Sequence, residues 1–304
     1  MSAGTVSAGT RVKPVAAAAH RRRYRPRRIL LHAFLITIAA IWLFPLLWAV
    51  YQSFRPYGET SANPVALPET LTLANYVTAW TRAELPKYWL NTAIVVIPAV
   101  TITLGLASMI AFAVSRFSWR FNLSLLMLFT AGNLLPPQVI ITPLFRMYLL
   151  IPDPLGISKF LFYDQYLGII AIHVAFQLGF CTFVLSNYMK TLPKELTEAA
   201  LVDGASVLRT FWQVILPLCR PPLAALATLE FTWIYNDFFW ALLLMPTGAK
   251  QPVTSALNNL KGQFFTDNNL LAAGAVMVAI PTLVVYFALQ RHFIKGLTLG
   301  STKG

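Results

Sequence analysis

The chain has 304 residues, of which 57% are hydrophobic and only 12% are charged. Soluble domains carry about 25% charged residues, so the composition excludes a surface that faces mainly water and predicts an all-α integral membrane protein. The formal charge of +13 could indicate nucleic-acid binding, but most of the 24 Lys and Arg residues fall on one predicted side of a membrane. We therefore interpret the charge as a topology signal that brings contact with anionic membrane lipid, and we predict no nucleic-acid partner.

The chain begins with a polar and basic segment. Residues 1–20 are rich in Ser, Ala, Gly and Thr, and RRRYRPRR follows at 21–28. We predict that residues 1–28 form a disordered basic tail in the cytoplasm. The apolar run after this tail is longer than that of a signal peptide, and no A-x-A-like cleavage site follows it, so we interpret the run as a membrane anchor.

Six segments have the length of about 20 mostly apolar residues that a spanning helix needs. They are 29–51, 90–114, 121–148, 166–187, 222–245 and 269–290. An even number of spans places both termini on the same side, and the excess of Lys and Arg assigns that side to the cytoplasm. The sequence thus predicts a six-helix transmembrane domain over 29–293 and a cytoplasmic tail over 294–304.

The longest predicted external loop, 52–89, contains LTLANYVTAW at 71–80. Its apolar residues recur at helical spacing, which predicts a short helix lying at the membrane surface. The apolar stripe consists of Leu73, Tyr76, Val77 and Trp80.

The third predicted span contains LLPPQVIITP, with Pro136, Pro137 and Pro143. Each proline removes a backbone donor from a helix in lipid, where unpaired backbone is tolerated only under a cover of protein or beside a cavity. We predict a kinked or broken helix that faces the protein interior. A cavity-lining gate and a simple packing kink both remain open.

A polar loop over 190–220 separates the fourth and fifth spans on the cytoplasmic side. Pro193 suits a helix start, and residues 194–202 predict a short helix that ends at Gly204, which is free to adopt a positive φ. The small residues around Gly204 would permit a close approach by another protein. Three acidic residues could meet its basic groups: Glu195, Glu198 and Asp203.

A second helix is predicted after the glycine. Ser206 can cap it, and Pro217 would end it. Its apolar face is expected to comprise Val207, Leu208, Phe211, Val214 and Ile215, opposite Arg209, Thr210 and Gln213.

This loop resembles the EAA loop of ABC importer permeases, whose pattern is EAA-x3-G-x9-I-x-LP. Glu198-Ala199-Ala200, Gly204 and Val214-x-Leu216-Pro217 match at the same spacing, with Val214 in place of the usual Ile. Further stretches are similar to the shorter permease of carbohydrate-uptake (maltose-type) transporters, so that the resemblance covers about 29–304. They are PKEL at 193–196, NTAIVV at 91–96, PPQVIITPLF at 136–145, WIYNDFFWALLL at 233–244 and FIKGLTLGSTKG at 293–304.

The resemblance implies a type I ABC importer permease fold, with alternating access and a cytoplasmic coupling helix in the EAA loop. It implies a heterodimer with a second permease subunit, two ATPase subunits that bind ATP and Mg, and an external solute-binding protein that delivers a sugar in a prokaryotic cytoplasmic membrane. The residues expected to dock the ATPase are Glu195, Glu198, Ala199, Ala200, Asp203, Gly204, Ala205, Phe211, Leu216 and Pro217. The chain itself has no G-x-x-x-x-G-K-[ST] phosphate loop, so we expect it to bind no cofactor.

The fifth predicted span carries the only carboxylates deep in an apolar segment, Glu230 and Asp237. In a continuous helix they would share an arc of roughly 80° with Trp233 and Trp240. Carboxylates accept hydrogen bonds from sugar hydroxyls, and aromatic rings stack on sugar faces, so this stripe is a candidate substrate path. Two weaker additions are Asn236 and Asn91. The alternative is a packing network against the partner subunit, which by family resemblance can hold most of the sugar contacts.

No metal or catalytic site is predicted. Cys181 and Cys219 lie in or beside apolar segments and are interpreted as small hydrophobic residues. His32, His173 and His292 have no neighbours at ligand spacing, so we expect structural histidines. No nucleophile–base pair is evident, and the chain is therefore not expected to be an enzyme.

Two alternatives to a sugar permease remain open. One is a permease for glycerol phosphate or another polar solute, although the absence of Arg or Lys from the fifth span favours a neutral substrate. The other is a proton-driven secondary transporter with Glu230 or Asp237 as the relay. A membrane enzyme lacks any supporting motif.

Overall fold

The computed structural model describes residues 26–67, 69–117, 119–133, 135–261 and 266–298. Most of the predicted N-terminal tail and the end of the predicted C-terminal tail lie outside these residues.

The described chain is almost entirely helical. The helices are α1 (Pro26–Ser53), α2 (Tyr57–Ala62), α3 (Ala74–Arg82), α4 (Leu85–Arg116), α5 (Asn122–Gly132), α6 (Pro137–Leu150), α7 (Tyr166–Thr191), α8 (Glu195–Val202), α9 (Val207–Thr210), α10 (Leu216–Leu218), α11 (Arg220–Tyr235), α12 (Phe239–Leu244), α13 (Val253–Ala256) and α14 (Asn268–Thr298). A π-helical turn, Phe211–Ile215, joins α9 to α10, and a 3₁₀ turn, Leu257–Leu260, follows α13.

Within the described residues, four helices are long and apolar enough to cross a membrane: α1, α4, α7 and α14. Two bent pairs of helices could raise the number to six if each pair counts as one span. The structure therefore supports four to six spans.

Contacts divide the chain into Met1–Leu47 and Trp48–Gly304. In the first unit, the side chains of α1 from Arg28 to Leu47 are all exposed, although most are apolar. An apolar, exposed helix suits a lipid environment.

In the second unit, α4 and α7 pack against each other, and α11 and α14 complete the core. Their buried residues are mostly aliphatic and small, which allows the helices to approach closely. At the end where α4 and α7 finish, Arg116 donates to the carbonyl of Leu192 at 3.2 Å. We name this end, which carries the 190–220 loop, the proximal end.

The opposite, distal end is covered by short helices and turns. The predicted surface helix is present as α3, with Leu73, Val77 and Trp80 exposed. Here the Asn269 side-chain amide donates to the backbone oxygen of Arg55 at 2.8 Å, which ties the start of α14 to the turn at Arg55. Arg55 is itself buried.

The third predicted span is broken, as the prolines predicted. Helices α5 and α6 meet at 95°, and Pro136 caps α6, which starts at Pro137. Pro136 and Pro143 are exposed on the surface of this subunit taken alone, so their predicted orientation toward the protein interior stays a prediction that requires a second subunit. A proline has no donor to satisfy, so these residues can face lipid or another subunit without exposing an unpaired N–H.

The fifth predicted span is not one continuous helix. Helix α11 ends at Tyr235, and α12 starts at Phe239. The 16 residues of α11 measure about 24 Å at 1.5 Å per residue, which is shorter than a hydrocarbon core of about 30 Å. The predicted stripe along 230–240 assumed an unbroken helix and is therefore wrong as a single face.

Candidate functional site

The first helix of the 190–220 loop is present as α8, and its far side is exposed. Gly204 follows it with φ of +79°, and a Cβ at this position would meet nothing within 4 Å. The left-handed backbone strongly favours glycine, and here it turns the chain sharply into the second helix. The turn leaves Glu198, Ala199 and Asp203 at the surface, as the sequence predicted.

The second helix begins at Ser206, whose hydroxyl accepts a hydrogen bond from the Arg209 amide at 3.3 Å. Its buried face differs from the prediction, because Val207 and Leu208 are exposed while Thr210 is buried. The prediction holds in the π-helical turn that follows, where Phe211 and Ile215 are buried. The helix also continues through Pro217 and ends one residue later.

The buried side of this second helix joins the loop to the membrane helices. The Phe211 ring lies 5.3 Å from the ring of Phe112 in α4. Ile215 and Cys219 pack in the same cluster with Met189 of α7. The predicted docking role of Phe211 is therefore wrong, because the side chain is buried and cannot meet a partner. Phe211 instead anchors the loop.

The exposed surface of the loop combines apolar and acidic side chains. Val202 is 87% exposed and Leu208 is 62% exposed. Large apolar side chains grouped at an exposed tip indicate a protein contact. The carboxylates of Glu195, Glu198 and Asp203 make no ion pair with any described residue. The surface, which we name the loop tip (195–208), can thus pair with an apolar groove that has a basic rim.

The structure separates the residues of the predicted substrate path. Trp233 is 45% exposed, and Asn236 is also exposed. Glu230, Trp240 and Asn91 are buried. These two groups do not form one continuous surface.

Glu230 lies in the core between α11 and α7. Its Oε1 accepts a hydrogen bond from the Cys181 thiol at 3.2 Å, and its Oε2 has no partner among the described residues. Cys181 and Cys219 are both free and buried, in agreement with their interpretation as small hydrophobic residues.

Asp237 lies in the break between α11 and α12. Its Oδ1 accepts from the Trp240 amide and its Oδ2 accepts from the Ala241 amide, both at 3.3 Å. The same Oδ2 lies 3.6 Å from Nε2 of the buried His173 in α7. The sequence analysis predicted neither the break between α11 and α12 nor the proximity of His173 to Asp237.

The Asn91 side-chain amide binds the backbone of the segment that precedes α13 at the distal end. Its Nδ2 donates to the carbonyls of Ala249 and Gln251 at 3.1 and 3.0 Å. Its Oδ1 accepts from the Tyr166 hydroxyl at 2.6 Å. With these atoms engaged, Asn91 supports the fold and does not face a passage. Among the described residues, no group of three His, Cys, Asp or Glu could hold a metal ion.

Comparisons with known proteins decide the family. Residues 103–299 match the family model of the binding-protein-dependent transport system inner membrane component. The chain belongs to this family.

Several curated relatives of this binding-protein-dependent permease span nearly its whole length. It is 32% identical to the diacetylchitobiose uptake system permease protein NgcG of Streptomyces coelicolor, over 94% of this chain and 91% of that protein. It is 30% identical to the arabinooligosaccharides transport system permease protein AraQ of Halalkalibacterium halodurans, over 88% and 93%. It is 32% identical to the osmoprotective compounds uptake permease protein GgtD of Synechocystis, over 91% and 93%.

A solved structure supports the fold. A chain of a bacterial ABC transporter involved in the import of the acidic polysaccharide alginate matches with a TM-score of 0.74, at 22% identity, over 88% of this permease and 98% of that chain. The resemblance found in the sequence is therefore confirmed, and the fold is that of an ABC importer permease.

Sequence reasoning missed two of the residues that anchor the loop. Arg116 joins α4 to the start of the loop, a contact that its positive charge alone did not predict. Phe211 was expected on the apolar face of the second loop helix, whereas Phe112 carried no local signal except its apolar character. Their pairing is non-local, and a single sequence offers no means to find it.

Proposed function

We propose that this chain is a transmembrane permease subunit of an ATP-driven, binding-protein-dependent importer that moves a sugar or oligosaccharide across the cytoplasmic membrane by alternating access. The observation that carries the proposal is the loop tip, which is exposed at its surface and anchored at its base to α4 and α7. Because the helix pair protrudes and is anchored at its base, a displacement of its tip by a bound partner would also displace α4 and α7.

The loop tip is the proposed docking site for an ATPase subunit, with α8 as the coupling helix. Closure of two ATPase subunits around ATP and Mg would move the tip. Because Phe211 packs on Phe112, movement of the tip would shift α4 and α7 together. Both termini of this permease would then lie in the cytoplasm.

The substrate class follows from the relatives. Diacetylchitobiose and arabinooligosaccharides are carbohydrates, and both names belong to permeases that match this chain over most of its length. The proposed solute is therefore a neutral sugar, delivered by an external solute-binding protein. A permease for glycerol phosphate or another polar solute is the alternative within the same machinery.

The proposed substrate path on this subunit is narrower than the sequence suggested. It retains Trp233 and Asn236, which are exposed beside the break after α11. An indole ring can stack on a sugar face, and an amide can pair with sugar hydroxyls. A second permease subunit would face this surface and complete the path.

The test combines a matched pair of asparagine substitutions with one charge reversal in the loop tip. Gly204 and Gly156 both have positive φ, at +79° and +68°, and a Cβ at either position would meet no atom within 4 Å. Asparagine tolerates this backbone conformation, so Gly204→Asn adds a side chain to the loop tip with little strain. We expect Gly204→Asn and Glu198→Lys to lower ATPase co-purification and sugar uptake at least tenfold, an effect typical of a disrupted interface centre.

Gly156→Asn is the control, because Gly156 lies in the turn between α6 and α7, away from the loop tip. It should leave both readouts unchanged. Normal uptake and normal ATPase binding in both loop-tip variants would exclude the docking role.

A further inference from the structure

The Asp237 side chain binds the start of the helix that follows the break between α11 and α12. It accepts hydrogen bonds from two amides in the first turn of α12, those of Trp240 and Ala241, at 3.3 Å each. A carboxylate at a helix start satisfies unpaired donors and offsets the positive end of the helix dipole. Asp237 thus fixes where α12 begins.

Two further elements contact the same residue. The Thr254 hydroxyl donates to the Asp237 backbone oxygen at 2.5 Å, and His173 of α7 lies 3.6 Å from the carboxylate. His173 Nε2 is buried and has no hydrogen-bond partner in the described part of the chain, so Asp237 is the polar group that it faces. We name Asp237, His173 and Thr254 the Asp237 junction.

The junction connects the distal cover to the helix break. Thr254 lies in α13, and the neighbouring Val253 amide donates to the Thr92 hydroxyl of α4 at 2.8 Å. On the other side of the break, the Trp240 ring lies 5.7 Å from Phe176 of α7. A shift of α13 would therefore be transmitted to α12 through Asp237.

The carboxylate does not face a passage. The Asp237 side chain is 8% exposed, and that of His173 is 6% exposed. Asn236, the residue immediately before Asp237, is exposed on the surface proposed to line the sugar path. The carboxylate can therefore set the position of that surface without touching a solute.

We propose that Asp237 is a positioning residue which, with His173 and Thr254, sets the angle between α11 and α12 and so the placement of Trp233 and Asn236 during transport. The proposal rests on the proposed sugar-import function. It assigns Asp237 to the helix break and removes it from the residues that bind sugar.

The experiment compares Asp237→Ala, Asp237→Asn, His173→Ala and the double alanine variant in the assembled, reconstituted transporter, with maltose and other neutral oligosaccharides as probes. Asn keeps an acceptor for the amides of α12, whereas Ala removes it. We expect Asp237→Ala to lower the maximal uptake rate about tenfold, a loss of the size that a missing helix cap can produce. The KM for sugar should stay within about twofold, because no substrate contact is lost.

Three further results are expected. Asp237→Asn should restore most of the rate, His173→Ala should lower it, and the double variant should be no slower than Asp237→Ala, since both residues act through one contact. Asp267→Ala is the matched control, because Asp267 caps α14 at the distal end in the same way. It should leave the uptake rate unchanged.

Cysteine labelling at the helix break does not depend on transport, so it tests the positioning role of Asp237 separately from the proposed sugar import. Ala241→Cys, at a buried position in α12, should react with a water-soluble maleimide several-fold faster in the Asp237→Ala background, because the break loosens; the native Cys181 and Cys219 are also buried. A tenfold rise in KM for both Asp237 variants with normal behaviour of His173→Ala would overturn the positioning role and favour sugar contact. Unchanged labelling and unchanged rate would also overturn it. If labelling is accelerated but the transporter moves no sugar, the positioning role of Asp237 stands and only the proposed sugar substrate is refuted.

Discussion

Replacement of Gly179 by alanine should loosen the packing of α5 against α7. A Cβ at Gly179 would lie 2.8 Å from the carbonyl carbon of Phe129 and 2.5 Å from Nδ2 of Asn133. Ordinary van der Waals contact begins at 3.4 Å, and backbone atoms cannot rotate away. The two helices would have to separate by roughly 1 Å, and overpacking of this kind costs about 1–3 kcal/mol.

The assay is thermal unfolding of the purified permease complex in detergent, followed by size-exclusion chromatography after heating. Gly179→Ala should lower the midpoint by a few degrees, as expected for a destabilisation of this size. Gly132→Ala is the control on the same helix pair, since a Cβ there would meet nothing within 4 Å. Alanine is a better helix former than glycine, so this variant, at the last residue of α5, should be as stable as the wild type or more so. A Gly179→Ala variant that melts at or above the wild-type midpoint would refute the close packing of α5 on α7.

Three other perturbations give separate expectations. Ser206→Ala removes the acceptor for the Arg209 amide, and loss of a cap worth about 1 kcal/mol should raise hydrogen exchange at that amide about fivefold; unchanged exchange would show that the cap contributes nothing. Glu230→Gln preserves shape in a buried site and should keep uptake within about threefold, since the amide oxygen can still accept the hydrogen bond from Cys181; loss of uptake with normal assembly would favour a proton relay. The pKa of Glu59 is lowered from its ordinary value of 4.5, chiefly by the Thr70 hydroxyl. Its stabilising contribution is therefore complete above pH 4.5 and is lost as the pH falls through the lower, folded-state pKa. Protease resistance of the segment around it should fall in acid, and Glu59→Gln should remove that pH dependence.

Much of the local structure could be predicted from single segments. The loop helix α8, the positive φ of Gly204 and the cap at Ser206 depend on neighbouring residues, and all three are present as expected. The break in the third span was also predictable, because Pro136 and Pro137 remove donors wherever they occur.

Periodic patterns held in part. The expected apolar face of the second loop helix is kept through the π-helical turn, where Phe211 and Ile215 are buried, but it fails in the first turn, where Val207 and Leu208 are exposed. The stripe that joined Glu230 to Trp240 failed because α11 ends at Tyr235. A projection at 100° per residue cannot detect such changes, since it assumes the helix that it is meant to test.

The sequence by itself determined which segments enter lipid and which loop protrudes, since both follow from the solvation of consecutive side chains and from short-range capping. Only the tertiary structure decided which polar residues are available to a solute. Asn91 is engaged by the distal chain, Glu230 by Cys181, and Asp237 by α12 and α7. Apart from the α12 amides, which are close to Asp237 in the sequence, the partners in these contacts lie far apart in the chain, and packing alone brings them together.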